Sequence, residues 1–477
     1  RHGGMRSRSE RLALLDAARV YVIGPADLAA GRMAELIPEL AAAGATVFQL
    51  RDRGIPADRL EQEARACAAA ARACGALLIV NDDPELAALA DADGVHLGQD
   101  DGAIGWARGI VGAEAIVGRT SRGGAALAAA AEEGADYASV SPLWATPTKP
   151  DREPTGLQAA IDAARHATIP WFALGGLDRP RVQRVAAIGA TRIAAVREIA
   201  DARDPVAAVR GLLAALDTTP RVLSIAGSDS GGGAGIQADV KAISAAGGFP
   251  LTAVTALTAQ STTGVHAVER VPVDVIAAQA RCVIDDIGVD AIKTGMLGSA
   301  DVVGCAARIV AALDPTLLVP VVVDPVARAE SGAALLDADA LVAIRDRLLP
   351  LATVCTPNLM EAQALASSDS LDPRRLAQTI RDRAGCAVIV TGGHGAVSAD
   401  VLCDADGVTE LPGPRHEVAT THGAGCTYSA TLATLLGGGA PLRPAAEQAK
   451  RVASGAVLHG RDYGSGAGPV DVSRWRG

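Results

Sequence analysis

Aromatic side chains are nearly absent from this 477-residue chain, at 2% of its residues. Its core must therefore be aliphatic, built from its abundant Ala, Val and Leu. Paired cysteines are absent as well. The eight cysteines (67, 74, 282, 305, 355, 386, 403 and 426) are scattered, without a Cys-x-x-Cys pair. That pattern speaks against a disulfide framework or a zinc site and fits a reducing cytoplasm. No Lys/Arg run interrupts a net charge of -10, so no nucleic-acid partner is expected. No apolar run reaches transmembrane length, and Arg1–Glu10 is polar, unlike a signal peptide; no membrane partner is expected either. Arg1–Ser9 reads as a disordered lead-in or an expression remnant.

What is present is a rhythm. At this length two or three domains are expected. Between residues 20 and 216, short β-branched runs alternate with longer Ala-rich helical stretches. The strand candidates are Val20–Gly24, Thr46–Leu50, Leu77–Asn81, Gly94–Leu97, Ala115–Thr120, Tyr137–Ser141, Trp171–Gly175 and Arg192–Val196. Eight evenly spaced units favour a closed (β/α)8 TIM barrel over an open doubly wound sheet. A barrel's site lies at the C-terminal strand ends. Those ends carry Gln49-Leu50-Arg51-Asp52-Arg53, Asn81-Asp82, Asp100-Asp101, Thr120, Thr146-Pro147-Thr148-Lys149 and Gly176. Arg51, Arg53 and Lys149 offer charge to a pyrophosphate. Asp82 and Asp101 suit Mg²⁺ between themselves and phosphate oxygens. Asp100-Asp101 is equally compatible with the start of a helix.

In order and spacing these stretches, with Asp93–Asp101 and Ala173–Gly176, resemble thiamine-phosphate synthase over residues 19–215. The resemblance implies a (β/α)8 barrel that joins hydroxymethylpyrimidine diphosphate to thiazole phosphate. Gln49, Arg51, Arg53, Asn81, Thr120 and Lys149 would then face the pyrimidine diphosphate, with Leu50 and Asp52 in the same stretch. Asp82 and Asp101 would bind Mg²⁺; Thr146, Pro147, Thr148, Gly176, Val196 and Arg197 would line the thiazole phosphate side. Arg53, Thr120 and Arg197 depart from the usual Lys, Ser and Ser. Departure of pyrophosphate leaves a ring-stabilised cation, so the protein must chiefly neutralise and orient the leaving group, with Arg51 and Lys149 foremost.

Asp217–Pro220 is a short polar break, after which the pattern restarts. Strand candidates are Val222–Ala226, Leu251–Ala256, Ala291–Thr294, Val319–Asp324, Thr353–Thr356 and Ala387–Thr391, and Val401–Thr409 reads as a hairpin. These irregular units fit a mostly parallel α/β sandwich. The glycine cluster Gly227–Gly235 lacks the Gly-Lys-Ser/Thr of a Walker loop and the acid of a dinucleotide fingerprint, so it reads as a tight substrate-side turn. Thr421-His422-Gly423-Ala424-Gly425-Cys426 precedes the apolar run Tyr428–Leu436. Small residues opening a helix present N–H groups and a positive dipole end to an anion. A thiol at such a helix mouth is expected to have a lowered pKa. Alone, the six residues fit an ordinary capped helix as well.

Together with Thr255–Gln260, Lys293–Gly298, Val323–Val326, Thr356–Glu361 and Gly392–His394, these motifs resemble hydroxymethylpyrimidine/phosphomethylpyrimidine kinase, a ribokinase-like family, over about residues 222–460. The resemblance implies that Asp239, Gln260 and Met296 contact the pyrimidine. Gly423, Ala424, Gly425 and Cys426 would form the anion hole, Cys426 accepting the hydroxymethyl proton. Asp324, Asn358 and Glu361 would organise Mg²⁺ and the phosphates of ATP. Thr391 and Glu330 stand where Lys is usual, and Lys293 or Arg328 is the candidate to compensate.

The expected layout is a lead-in and first helix over 1–18, a barrel over 19–216, a linker over 217–220 and a kinase-like sandwich over 221–477. The expected function is thiamine biosynthesis on small-molecule substrates, in a cytoplasmic homo-oligomer. The rivals are a thiazole tautomerase-like barrel joined to a pyridoxal-type kinase, and a non-catalytic thiamine-phosphate binding module.

Overall fold

The computed structural model describes residues 6–28, 31–147, 150–217, 219–328, 332, 335–392, 399–413, 416, 418 and 420–474. The chain divides into two compact units, Arg1–Thr218 and Thr219–Gly477.

In the first unit eight parallel strands close a barrel: β1 (Val20–Gly24), β2 (Ala45–Leu50), β3 (Leu77–Asn81), β4 (Gly94–Leu97), β5 (Ile116–Ser121), β6 (Tyr137–Val140), β7 (Trp171–Leu174) and β8 (Ile193–Ala195). Their ends fall within one residue of the expected ones. Strand β8 closes the ring on β1 through Ile193 beside Val20. The expectation of a wholly aliphatic core fails at the barrel axis. Tyr21, Tyr137 and Phe172 meet there edge to face, with ring centroids 5.2–6.0 Å apart. A closed barrel has volume to fill at its centre, and each such aromatic pair contributes about 0.5–1.5 kcal/mol beyond its buried area.

The lead-in also needs correction, because Arg6–Ser9 is ordered. Ser7 caps the helix α1 (Arg8–Ala17) in a reciprocal capping box with Glu10. That helix buries Leu15 in the interior cluster with Tyr21 and Val47. Arg11 of this helix donates through Nε to Asp93 Oδ1 at 3.0 Å, and Arg6, just before it, donates through Nη1 to the Ala76 carbonyl at 2.6 Å. Nothing local in this polar segment signals its order, because the partners named lie 70 (Arg6 and Ala76) and 82 (Arg11 and Asp93) residues apart along the chain.

In the second unit, an eight-stranded sheet comprises β9 (Arg221–Ala226), β10 (Phe249–Val254), β13 (Ala291–Thr294), β14 (Val321–Val323), β15 (Val354–Cys355), β16 (Ala387–Val390), β17 (Asp400–Asp404) and β18 (Gly407–Leu411). The order is β10-β9-β13-β14-β15-β16-β17-β18, parallel until the closing antiparallel hairpin β17–β18. Alternate strand residues feed two cores, as a pleated strand requires. Leu223 and Ile225 join one and Val222 the other. The second core contains the helices Gly235–Ala245, Ala424–Gly437 and Leu442–Leu458. The expected strand Leu251–Ala256 is split. At Thr255, whose Oγ donates to the Met296 carbonyl at 2.7 Å, the chain leaves the sheet. It then forms a separate antiparallel hairpin, β11 (Ala256–Ser261) and β12 (Gly264–Arg270).

Both ends of the expected linker are tied down. Asp217 pairs with Arg19 at 2.9 Å, and the Pro220 carbonyl accepts the Phe249 N–H at 2.8 Å. No helix among the described residues is long and apolar enough to cross a membrane.

Candidate active sites

At the C-terminal end of the barrel strands lies a cavity of about 830 Å³. It is lined by Gln49, Arg51, Arg53, Asn81, Asp82, Asp101, Thr120, Thr146, Gly176, Val196 and Arg197. Three expected residues do not line it. Leu50 is buried in β2, and Asp52 turns its carboxylate to the Ala26 and Gly54 N–H groups, shaping the loop. Pro147 lines a neighbouring shallow cleft. Thr148 and Lys149 lie outside the described residues.

Two carboxylates converge at one end of the cavity. A methyl group on Gly98 would lie 2.9 Å from Asp101 Oδ2 and 4.0 Å from Asp82 Oδ1. Burial, and then the neighbouring Asp82, hold the Asp101 carboxyl above the ordinary carboxylate range. Asp82 itself adopts a left-handed backbone (φ 62°) and accepts Arg53 Nη2 at 3.1 Å. Burial, then Arg53, pull the Arg51 guanidinium below its ordinary value. The mouth is strapped by Arg152 on Asp100 and by Arg122 on the Glu153 carbonyl.

Beneath the cavity runs a polar chain that sequence reasoning missed. Gln49 Nε2 donates to Tyr21 Oη at 2.6 Å, Tyr21 meets Tyr137 Oη at 3.0 Å, and Tyr137 meets His96 Nδ1 at 3.1 Å. His96 Nε2 ends it on Thr120 Oγ at 3.0 Å. Burial keeps both phenols far above their ordinary pKa, so both remain protonated. The available signal was the polar residues Gln49, His96 and Ser139 set inside otherwise apolar strands, each 6% exposed or less.

In the second unit, the helix Ala424–Gly437 starts at Gly423, whose φ of 90° suits glycine. A Cβ there would lie 1.8 Å from the Gly233 carbonyl oxygen, so the anion loop and the glycine-rich turn touch through backbone. No side chain caps this helix, and the Ala424 N–H turns back to the Thr421 carbonyl at 3.1 Å. Cys426 is at its third position. The expectation of a lowered thiol pKa is overturned: burial pushes it up to about 12. Lys293 and the Gly235 N–H pull it down, while Asp239 and Asp324 raise it further. Helix-mouth stabilisation is outweighed by desolvation.

Lys293 does not stand ready for a nucleotide phosphate, as expected of a compensating cation. It is wholly buried, 2.9 Å from both oxygens of Asp239. Asp239, which also accepts Ser224 Oγ at 2.6 Å, is likewise 0% exposed, lying under the site and not on its surface. Arg328 is exposed and donates to the Gly332 carbonyl at 3.1 Å. Asp324 accepts Ser429 Oγ at 2.8 Å. Asn358 and Glu361 form a capping box with each other, and Glu361 also accepts the Ala327 N–H. Burial, then Asp324, raise Glu361 to about 7. Gln260 sits on β11 and docks through its N–H on Ser230 Oγ at 2.8 Å; Met296 packs on Gly227. Thr391 follows β16 and its N–H donates to the Pro357 carbonyl at 2.9 Å, beside Asn358. Glu330 and His394 lie outside the described residues.

The two folds and their sites define an α/β enzyme with two separate catalytic units. A family model described as "Thiamine monophosphate synthase" matches residues 20–199, and one described as "Phosphomethylpyrimidine kinase" matches residues 229–471. The thiamine biosynthesis bifunctional protein ThiED of Geobacter sulfurreducens is 37% identical over 403 residues, which cover 82% of each chain. The thiamine biosynthesis multifunctional protein ThiED of Corynebacterium efficiens is 35% identical across 95% of this chain, which spans 64% of that relative. Among solved structures, the ADP complex of Bacillus subtilis pyridoxal kinase is 35% identical over 53% of this chain and 97% of its own, with a TM-score of 0.49. The chain belongs to the bifunctional thiamine biosynthesis family, a thiamine-phosphate synthase barrel joined to a phosphomethylpyrimidine kinase.

Proposed function

We propose that the kinase unit phosphorylates hydroxymethylpyrimidine and then its monophosphate with ATP, and that the barrel joins the diphosphate to thiazole phosphate, giving thiamine phosphate and pyrophosphate. The observation that carries this reading is that one chain unites both families, the product of one being the substrate of the other. A cytoplasmic homo-oligomer is part of the proposal, and the eight free cysteines suit a reducing compartment.

In the barrel, Arg51, Arg53 and Lys149 take the diphosphate and orient it for departure. Gln49, Asn81 and Thr120 seat the pyrimidine; Thr146, Thr148, Gly176, Val196 and Arg197 hold the thiazole phosphate. The paired carboxylates suit a hard divalent cation, since Asp101 resists ionisation beside Asp82 until a positive charge joins them. Asp82 and Asp101 would hold Mg²⁺, which when bound supplies charge neutralisation to the leaving group. No cluster of three His, Cys, Asp or Glu side chains is found among the described residues, so phosphate oxygens and water would complete its shell.

In the kinase, the uncapped N–H groups of Gly425 and Cys426 receive the transferring phosphoryl group. Cys426 Sγ, in its thiolate form, takes the hydroxymethyl proton as the substrate oxygen attacks the γ-phosphorus and the bond to the β–γ bridging oxygen breaks, releasing ADP. The groups that favour its thiolate are Lys293 and the Gly235 N–H. Gln260 and Met296 frame the pyrimidine, Asp239 acting from below through Lys293. Asp324, Asn358 and Glu361 would organise the ATP phosphates and Mg²⁺, which when bound would supply charge neutralisation.

Incubation of the purified chain with ATP, Mg²⁺, hydroxymethylpyrimidine and thiazole phosphate tests the scheme by mass spectrometry. Pyrimidine mono- and diphosphate should appear in turn, followed by thiamine phosphate. Thiamine phosphate from supplied diphosphate, with no phosphorylation of the alcohol, would remove the kinase half of the proposal.

A further inference from the structure

Three segments of the second unit meet at one side chain that the proposed mechanism does not use. His422 is 2.9 Å from Asp229 Oδ2 through Nε2. Asp229 lies in the glycine-rich turn, 193 residues away in sequence, and is 2% exposed. Its carboxylate is saturated. Oδ1 accepts the Gly231 N–H at 2.8 Å, and Oδ2 accepts those of Gly233 at 3.0 Å and Ala234 at 2.7 Å. Burial alone would raise its pKa, but His422 and these amides hold it below the ordinary value. An ionised carboxylate only accepts, so Nε2 carries the proton of the shared bond.

The backbone of His422 is fixed as well. Its N–H donates to the Gly468 carbonyl at 3.2 Å, and its carbonyl accepts the Val470 N–H at 3.1 Å. The room around the ring is tight: a Cβ on Gly233 would lie 2.3 Å from His422 Cδ2. The next residue, Gly423, opens the anion-loop helix; two residues past Gly233, the Gly235 N–H faces the Cys426 sulfur. One hydrogen bond therefore joins the loop carrying the base to the turn carrying an N–H aimed at that base.

We infer that His422 is a positioning residue for phosphoryl transfer, its Nε2–H on Asp229 latching the anion loop 421–426 to the glycine-rich turn 229–235. The two segments then close on the reacting groups from two sides as one body. Without the latch each retains its own backbone hydrogen bonds, but their mutual register is lost. Register matters most when the phosphoryl group is in flight, because misplacement by about 1 Å costs on the order of 10²-fold in rate. The effect belongs in kcat, since the bond touches neither nucleotide nor pyrimidine in the ground state.

This inference rests on the proposed roles of Gly423–Cys426, so the parent chain is assayed first for ATP-dependent phosphorylation of hydroxymethylpyrimidine. A parent without that activity sinks the functional reading itself. With an active parent, His422→Leu should lower kcat by roughly 10–100-fold while both KM values stay within about threefold. His422→Gln, which returns one N–H donor at similar reach, should recover most of the loss. Asp229→Ala, which removes the acceptor, should resemble His422→Leu, and combining the two should add little, as expected for partners in one interaction. A parental kcat in His422→Leu, a loss confined to KM, or a Gln variant no better than Leu would each overturn the inference. Should His422→Leu fail to fold, His422→Phe, which keeps a ring of similar bulk but no donor, decides alone: a parental kcat there overturns the latch, and a loss restricted to kcat supports it.

Discussion

Lys293 Nζ lies 2.9 Å from both carboxylate oxygens of Asp239, and neither side chain reaches solvent. Burial alone would strip the proton from the lysine, but the carboxylates of Asp239, foremost, and Asp324 outweigh it and hold its pKa above the ordinary value. Such a pair contributes little net stability while intact and a great deal of instability when halved. Lys293→Met should therefore destabilise the kinase unit by about 3–5 kcal/mol, because it leaves the Asp239 charge buried and unpaired. The double variant Lys293→Met/Asp239→Leu should stand nearer the parent than Lys293→Met does. Urea unfolding followed by peptide-resolved hydrogen exchange within residues 219–477 measures both, with peptides of the barrel as the internal control. A loss under about 1 kcal/mol in the single variant would show that the interior relaxes around the lone carboxylate.

The raised pKa of Cys426 has a direct chemical readout. The thiolate is the reactive form, and its population at a given pH falls as the pKa climbs. With the thiol at about 12 in the ligand-free chain, alkylation of Cys426 should be slow at neutral pH. It should rise about tenfold per pH unit, without a plateau, between pH 6 and 9. The exposed Cys74 and Cys282 should react sooner. Iodoacetamide labelling followed by peptide-resolved mass spectrometry separates the three. A plateau for Cys426 below pH 8 would place its thiolate within the physiological range and remove the desolvation argument.

The barrel was legible because its signal is local and repeated. Each strand is a short β-branched run, and its polar C-terminal residues follow directly, so Arg51, Asn81, Asp82 and Thr120 could be placed on one rim. What stayed hidden depends on residues distant in sequence. The Tyr21–Tyr137–His96 chain crosses β1, β6 and β4, and nothing near His96 signals a phenol 41 residues on. The helix-mouth argument for Cys426 was sound as far as the dipole goes. It failed because Asp239, Asp324 and the surrounding burial come from other strands and helices. Asp229 was seen only as a turn residue, since its histidine partner lies at the far end of the unit.

The N-terminal helix offers a test of stability at the closed end of the barrel. Asp93 accepts Arg11 Nε at 3.0 Å and the Leu78 N–H at 3.0 Å, and it lies 3.4 Å from Arg6. Removing the carboxylate strands a buried guanidinium and an amide at once. Asp93→Ala should destabilise the barrel by about 3–5 kcal/mol, and Asp93→Asn by less, because the amide oxygen still accepts one bond. Thermal inactivation of condensation from supplied pyrimidine diphosphate measures this, with kinase activity as reference. Equal inactivation midpoints for parent and Asp93→Ala would show that the Asp93 contacts add nothing to the docking of helix α1.

The two carboxylates at the barrel rim tie metal use to pH. A hard divalent cation needs both ionised, whereas burial and Asp82 keep the Asp101 proton on above the ordinary carboxylate range. As pH falls toward that raised pKa, protons compete with the cation for the same oxygens. The Mg²⁺ concentration for half-maximal condensation should therefore climb on acidification, starting at a higher pH than an ordinary aspartate would set. Asp82→Asn removes the repelling charge. Asp101 then ionises more readily, so the climb should start at lower pH, while the Mg²⁺ requirement rises at every pH through loss of a ligand. Asp101→Asn should raise the requirement too, but with its pH dependence flattened, because the titrating group itself is gone. Mg²⁺ titrations of parent and both variants, taken at a series of pH values, separate these outcomes. If Asp101→Asn keeps the parent's acid dependence, the proton that competes with Mg²⁺ sits elsewhere, and the assignment of Asp101 as a ligand falls.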